Sequence, residues 1–150
     1  MTERFVYRCA LRWSDLDAYG HVNNARFLTL YEEARVALMF ALGRERGLRF
    51  ADGVVIRRHE IDYLRPVDYP LAPAADGSGP TVRVEMWVEE IRPSRFTIGY
   101  ELFDGEALAS RARSVLVPFD LERQRPRRLS ADERAFLEPY AARPAVPAQA

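Results

Sequence analysis

Lysine is absent from this chain, cysteine occurs once, histidine occurs twice, and no apolar run approaches the roughly 18 residues of a membrane-spanning helix. Each shortage removes a class of function. With Cys9 alone, neither an intrachain disulfide nor a cysteine-based metal site can form. His21 and His59 are too few for a dedicated zinc site, so no metal or other cofactor is expected and any hydrolysis must lean on a carboxylate. No basic-then-apolar leader opens the sequence, and with no candidate span this predicts a soluble cytoplasmic protein. Also missing are a G-x-S-x-G elbow, a G-x-x-x-x-G-K-[ST] phosphate loop, a G-x-G-x-x-G turn after a strand and an H-E-x-x-H helix, which sets aside the common hydrolase and nucleotide motifs.

Charge of one sign is not in excess either. Acidic and basic residues balance at 22 each, leaving no overall field to draw nucleic acid or a membrane surface. That every basic residue is arginine would suit bidentate phosphate recognition. The arginines are scattered, however, and scatter fits a compositional bias of the coding source better.

With 150 residues, 48% of them apolar, the chain has enough material for one compact domain with its own core. That domain is expected over residues 1–140, and the Pro/Ala-rich residues 141–150 are expected to be a disordered tail. Arg4 to Arg12 reads as a strand, and Cys9 within it as a buried structural thiol. Trp13 to Val22 reads as an irregular loop. Asn23 is a good N-cap, and from Asn24 to about Gly43 neither proline nor glycine interrupts a helix-forming segment. Phe27, Leu30, Tyr31, Ala34, Leu38, Ala41 and Leu42 recur there at helical spacing. Val54 to Arg65 is β-branched and aromatic and stops at Pro66. Leu71 to Pro80 reads as a surface loop. Val82 to Val88 and Arg95 to Leu102 alternate as half-buried strands, and Asp104-Gly105 signals a hairpin into a further strand over Glu106 to Phe119. Ser130 with Glu133 makes a capping box for a short helix over Ala131 to Tyr140. The fold class is therefore α+β, with a mostly antiparallel sheet that can bury a broadly apolar helix by curling around it. Such a sheet leaves an edge strand open, and pairing two edges about a two-fold axis predicts a homodimer or a dimer of dimers.

The chemistry concentrates ahead of the long helix. A helix opening offers N–H groups with no intrahelical partner and the positive end of the macrodipole, so an oxygen gaining negative charge can be held there. Asp17 sits just before it. An aspartate in a loop is more often a turn or cap residue than a catalyst, so this placement alone would not establish a role. Asp15, two residues away, is read as stabilising the loop. Gly20 either lets backbone approach a ligand or supplies a positive φ. His21 could orient Asp17, bond a carbonyl or pack at the helix opening. His59, within a strand, is read as an ordinary satisfied histidine and left out of the site.

The segment Asp17 to Arg35, D-A-Y-G-H-V-N-N-A-R-F-L-T-L-Y-E-E-A-R, resembles the acyl-CoA thioesterases of the 4-hydroxybenzoyl-CoA thioesterase type, which have a hotdog fold. Tyr63-Leu64-Arg65-Pro66 closes the following strand as it often does in that family. The resemblance implies hydrolysis of an acyl-CoA to free acid and CoA, with Asp17 as nucleophile or general base. It makes the backbone N–H of Asn24 an oxyanion donor, a contribution of about 10² to 10³ in rate for a good donor. His21 joins these two as a catalytic candidate, while Gly20, Asn23, Phe27 and Tyr31 are the substrate-binding candidates. Phe27 stands where relatives often carry tyrosine. Tyr31, Phe27 and Trp87 could set the depth of an acyl tunnel along the helix, and Arg57, Arg58, Arg92 and Arg95 are candidates by type for the CoA phosphates. Rival readings are a thioesterase acting on acyl carrier protein, a hotdog dehydratase and a non-catalytic acyl-CoA binding protein.

Overall fold

The computed structural model describes residues 3–48, 50, 53–72 and 74–141. Strand β1 (Phe5–Ala10) leads through a 3₁₀ turn (Trp13–Asp15) to helix α1 (Asn24–Val36). The helix continues without a break as a π-helical segment (Ala37–Leu42) and a last α turn, α2 (Gly43–Glu45). Then come β2 (Val54–Tyr63), β3 (Thr81–Arg92), β4 (Arg95–Asp104), β5 (Ala107–Asp120), the short β6 (Arg125–Pro126) and α3 (Ala131–Leu137), which ends in a 3₁₀ turn over Glu138–Tyr140.

The main sheet runs β1-β3-β4-β5-β2 and every pairing is antiparallel, with β6 attached to β5. Tight turns join β3, β4 and β5 in series. The long helix carries the chain from β1 across the sheet, so β2 lands on the opposite edge. Alternation decides which face the helix covers: Val82, Val84, Met86 and Val88 of β3 and Ile98, Tyr100 and Leu102 of β4 are buried, as are Phe27, Leu30, Tyr31, Ala34 and Leu38 of the helix. Register shifts at Ile56/Arg58, Val88/Glu90 and Leu102/Phe103 add local twist. The result is the curled antiparallel sheet around one long helix of a hotdog fold.

Several local expectations are met in detail. Asn23 caps α1, its side chain accepting from the N–H of Ala25. Ser130 and Glu133 make both bonds of the capping box. Cys9 is buried, its thiol pushed up to about 12 by burial and then by Glu33. Others shift. Gly43 does not end the helix but is buried inside it, and Gly47, at φ +76°, follows the helical turns. The π-helical segment adds residues to the turn, which brings Met39 into the core and leaves Ala41 exposed, against the uniform spacing read from the sequence. The hairpin loop is Gly105-Glu106, because Asp104 pairs with Ala107; Gly105 supplies the positive φ of the first loop position. The expected C-terminal tail lies outside the described residues except for Ala141, which bridges to Val88.

Trp87 cannot line a tunnel along the helix. It alternates with the buried Met86 and Val88, so it lies on the other face of the sheet, against Gly99 and beneath the Arg4 guanidinium, 4.5 Å from its ring. A Cβ at position 99 would fall 2.5 Å from the indole.

Candidate active site

The loop before α1 is folded by its own polar groups. Asp15 is buried, takes the N–H of Arg12 at 2.8 Å and lies 3.8 Å from the Arg26 guanidinium. Its carbonyl accepts from the N–H of Asn23 at 2.8 Å, tying the loop to the start of the helix. Asp15 is thus the loop-stabilising aspartate. Asp17 is held differently: its Oδ1 accepts from the N–H groups of Tyr19 at 2.8 Å and His21 at 3.2 Å. Among the described residues no group bonds its Oδ2. The turn fastens one oxygen and leaves the other open.

Gly20 has the positive φ that one of its two readings expects. Its φ is +78°, which calls for glycine on conformation, and a Cβ there would meet no protein atom within 4 Å. His21 fixes Asp17 through its main-chain N–H, whereas its ring Nε2 lies 3.4 Å from Asp68 Oδ1. The imidazole therefore does not orient the Asp17 carboxylate.

At the head of α1, the N–H of Ala25 is capped by the Asn23 side chain and that of Arg26 bonds the Asn23 carbonyl. The N–H of Asn24 has no such partner among the described residues. The opposite wall comes from the end of β2: Tyr63 donates its hydroxyl to the Asn24 carbonyl at 2.8 Å, and its ring meets Phe27 edge-on at 5.1 Å. Burial raises the Tyr63 phenol above its ordinary range, so it stays a donor at neutral pH.

These groups line one cleft of about 340 Å³, formed by Asp17, His21, Val22, Asn24, Phe27, Tyr63, Leu64, Arg65 and Pro66. The structure thus brings Asp17, His21, Asn24 and Phe27 together. Gly20 and Asn23 shape the backbone just outside, and Tyr31 lies deeper, buried with its hydroxyl bonded to Ser110 Oγ at 2.7 Å. Tyr63 and Asp68 are additions that the residue-by-residue reading missed; the only signal for Tyr63 was its place in the Tyr63 to Pro66 strand ending. Arg57, Arg58 and Arg95 share a separate 310 Å³ cavity with Glu60, Glu90 and Arg113.

Size alone does not pick the site. A larger cavity, about 650 Å³, is lined by Gly47, Asp120, Glu122, Asp132 and Glu133 among others, and its one arginine, Arg127, is already bidentate to Glu133. Among the described residues no group of three or more His, Cys, Asp or Glu side chains is placed to hold a metal ion, and no helix is long and apolar enough to cross a membrane.

The family model described as the thioesterase-like superfamily matches residues 11–139. No curated protein matches the chain significantly. Among solved structures, a protein from Bacillus stearothermophilus described as a predicted thioesterase is 26% identical, with a TM-score of 0.77 over 95% of this chain and 100% of that one. A thioesterase from Thermus thermophilus, solved with coenzyme A and Zn, is 27% identical with a TM-score of 0.70 over 89% of this chain and 91% of that one. A 1,4-dihydroxy-2-naphthoyl-CoA thioesterase from Synechocystis, at 19% identity and a TM-score of 0.71 over 90% of this chain and 96% of that one, shares the fold.

Proposed function

Because the chain belongs to the thioesterase-like superfamily, we propose that it hydrolyses an acyl-CoA thioester to a free acid and coenzyme A, with Asp17 as the reacting carboxylate. The observation that carries this is the pairing, in one cleft, of a carboxylate with one oxygen tied down and a helix-start N–H without a partner among the described residues. The thioester carbonyl oxygen would rest on the Asn24 N–H, where the negative charge of the tetrahedral intermediate is stabilised by the amide and the helix dipole. Asp17 Oδ2 either takes a proton from the attacking water or attacks the carbonyl carbon itself, forming an anhydride that water then opens. In both routes the C–S bond breaks as the intermediate collapses, and the thiolate leaves and is protonated. The bound coenzyme A of the Thermus thermophilus relative supports CoA as the thiol half. Phe27, Tyr63 and Leu64 would contact the acyl side, and Gly20 and Asn23 would hold the loop and helix start in place.

The assembly we propose is a homodimer, because β2 leaves ten residues of sheet edge beside this cleft.

Thiol release from a panel of short-chain, long-chain and aromatic acyl-CoAs tests the function. Asp17→Asn keeps the side chain's shape and its acceptor for the turn, so turnover should fall by about 10² to 10⁴ with the fold intact. Near-normal release by that variant would remove Asp17 from the mechanism. Tight acyl-CoA binding without release by the wild type would favour a binding protein.

A further inference from the structure

A further cavity, about 280 Å³, opens farther along the same helix between α1 and β2, lined by Glu32, Arg35, Val36, Met39, Phe40, Val54, Ile56 and Leu116. The proposed active site and this cavity share their walls, helix on one side and the edge strand on the other. Leu28 and Val36 of the helix and Ile56 and Tyr63 of the strand are exposed apolar side chains of these two walls, with the exposed Glu32 and His59 among them. From Asn24 to Arg35 the helix rises about 16 Å, and a helical side chain leans back toward the N-terminus, which shortens the span between the two ends.

An apolar cavity has no need of a buried cation, yet Arg35 is one. Its side chain is 8% exposed. Of its five N–H donors, one is used among the described residues: Nη1 donates to the Tyr100 hydroxyl at 3.2 Å, a neutral acceptor. The carboxylate of Glu32 stands 3.8 Å from Nη2, beyond hydrogen-bond range, on a side chain 66% exposed to solvent. The Tyr100 ring lies 6.0 Å away, at the limit of a cation–π contact. Behind this pair, the Ser114 hydroxyl meets His59 Nδ1 at 2.7 Å, so these two groups are engaged with one another. The charge of Arg35 is felt there: burial, then Arg35, lowers the pKa of His59 against the raising effect of Glu32. Among the described residues no buried side-chain nitrogen lacks a partner, so the Arg35 donors not used by Tyr100 have access to solvent, and Arg35 lines the cavity, where a carboxylate can take them with bidentate geometry.

We propose that Arg35 anchors a subsite for a terminal carboxylate on the acyl chain, so that the cleft prefers acyl-CoAs whose acyl group ends in a carboxylate over unsubstituted ones of the same length. This rests on the thioester-hydrolysis reading and adds the substrate class to it. The chain of such an acyl group runs between the helix and the edge strand, while its two polar ends meet the Asn24 amide and the Arg35 guanidinium.

The test pairs ω-carboxyacyl-CoAs with unsubstituted acyl-CoAs of matched length, in wild type and in Arg35→Met, which keeps an unbranched apolar stem in the buried position. Two readouts are taken: kcat/KM for thiol release, and binding of the non-hydrolysable thioether analogues by calorimetry. Wild type should favour the carboxylated member of a pair, and Arg35→Met should cut that preference by about 10- to 100-fold, the range for a charge-assisted hydrogen bond. Glu32→Gln, which removes the competing exposed carboxylate, should sharpen the preference and guards against misreading a folding defect in Arg35→Met. Hydrolysis with equal preference in wild type and Arg35→Met leaves the thioesterase reading standing and overturns the carboxylate subsite. Arg35-dependent binding of the carboxylated analogue without any thiol release does the reverse. If Arg35→Met alters the oligomeric state and not the preference, Arg35 faces a second subunit and the subsite is overturned.

Discussion

At the scale of single residues, two aspartates separated by one leucine do different work, and the division follows from which atoms are satisfied. Asp15 is buried and gives both its carboxylate and its carbonyl to the loop, whereas Asp17 keeps Oδ2 free among the described residues. Asp15→Ala should therefore cost about 1–2 kcal/mol of stability, the worth of a cap-like bond and its buried acceptor. Thermal unfolding of Asp15→Ala and Asp17→Asn beside wild type checks this. The expected pattern is crossed, with lower Tm but retained turnover per folded molecule for the first and the reverse for the second. A larger turnover loss at Asp15 would exchange the two roles. The Asn23 cap and the positive φ at Gly20 were legible in the sequence, because capping and glycine rules act locally, whereas the attention to Asp17 rested on the resemblance. What was not legible is where a side chain points: the His21 ring turns to Asp68, forty-seven positions on, a contact created by the bridge between those two segments.

At the scale of elements, caps and alternation were readable, and the departures have local causes. Helical spacing could place Phe27 through Leu38 on the covered face but could not foresee the π-helical segment that turns Met39 inward. Nothing periodic in the sequence marks Arg35 as buried, since an arginine on a helix is ordinarily a surface residue. The α3 capping box was readable; its electrostatics were not. Glu133 is buried and accepts both guanidinium nitrogens of Arg127, at 2.7 and 3.0 Å, as well as the N–H of Ser130. Burial would push its carboxyl up, but the Arg127 pair and the Ser130 N–H outweigh that and hold it below the ordinary 4.5. A carboxyl lowered in the folded state binds protons more readily when unfolded, so its stabilisation is full above about pH 4.5 and is lost as pH falls through the folded value. Glu133→Gln should lose about 2 kcal/mol at neutral pH, less than a wholly buried pair would, because Arg127 keeps 27% of its side chain in water. Urea unfolding at neutral pH and near pH 3 tests both parts: the gap between variant and wild type should narrow in acid, and a constant gap would mean that the pair is not the source.

At the scale of the whole molecule, the alternation of strands and the single uninterrupted helix were enough to imply a sheet curled around a helix, and the strand order follows from the crossover that sends β2 to the far edge. The consequence is an imbalance between the two edges. β1 offers six residues, whereas β2 offers ten, without proline, and leaves Val55 and Ile56 exposed on its two faces. Arg57, Arg58, Glu60 and Asp62 charge the middle of this edge, but its ten-residue row of open N–H and C=O groups still invites pairing, and a second copy related by a two-fold axis satisfies it without leaving a new edge. The protein should therefore sediment at about twice the 17.2 kDa mass of the chain, or at a multiple of that dimer. Val55→Lys with Ile56→Lys, which places charge on both faces of the edge as natural edge strands do, should shift it toward the monomer. Since the cleft at Asp17 and the cavity at Arg35 both use β2 as a wall, thiol release by the double variant should fall as the protein is diluted through its dissociation range. A wild type that sediments as a monomer with full turnover would show that the β2 edge is left open and that one chain completes the site.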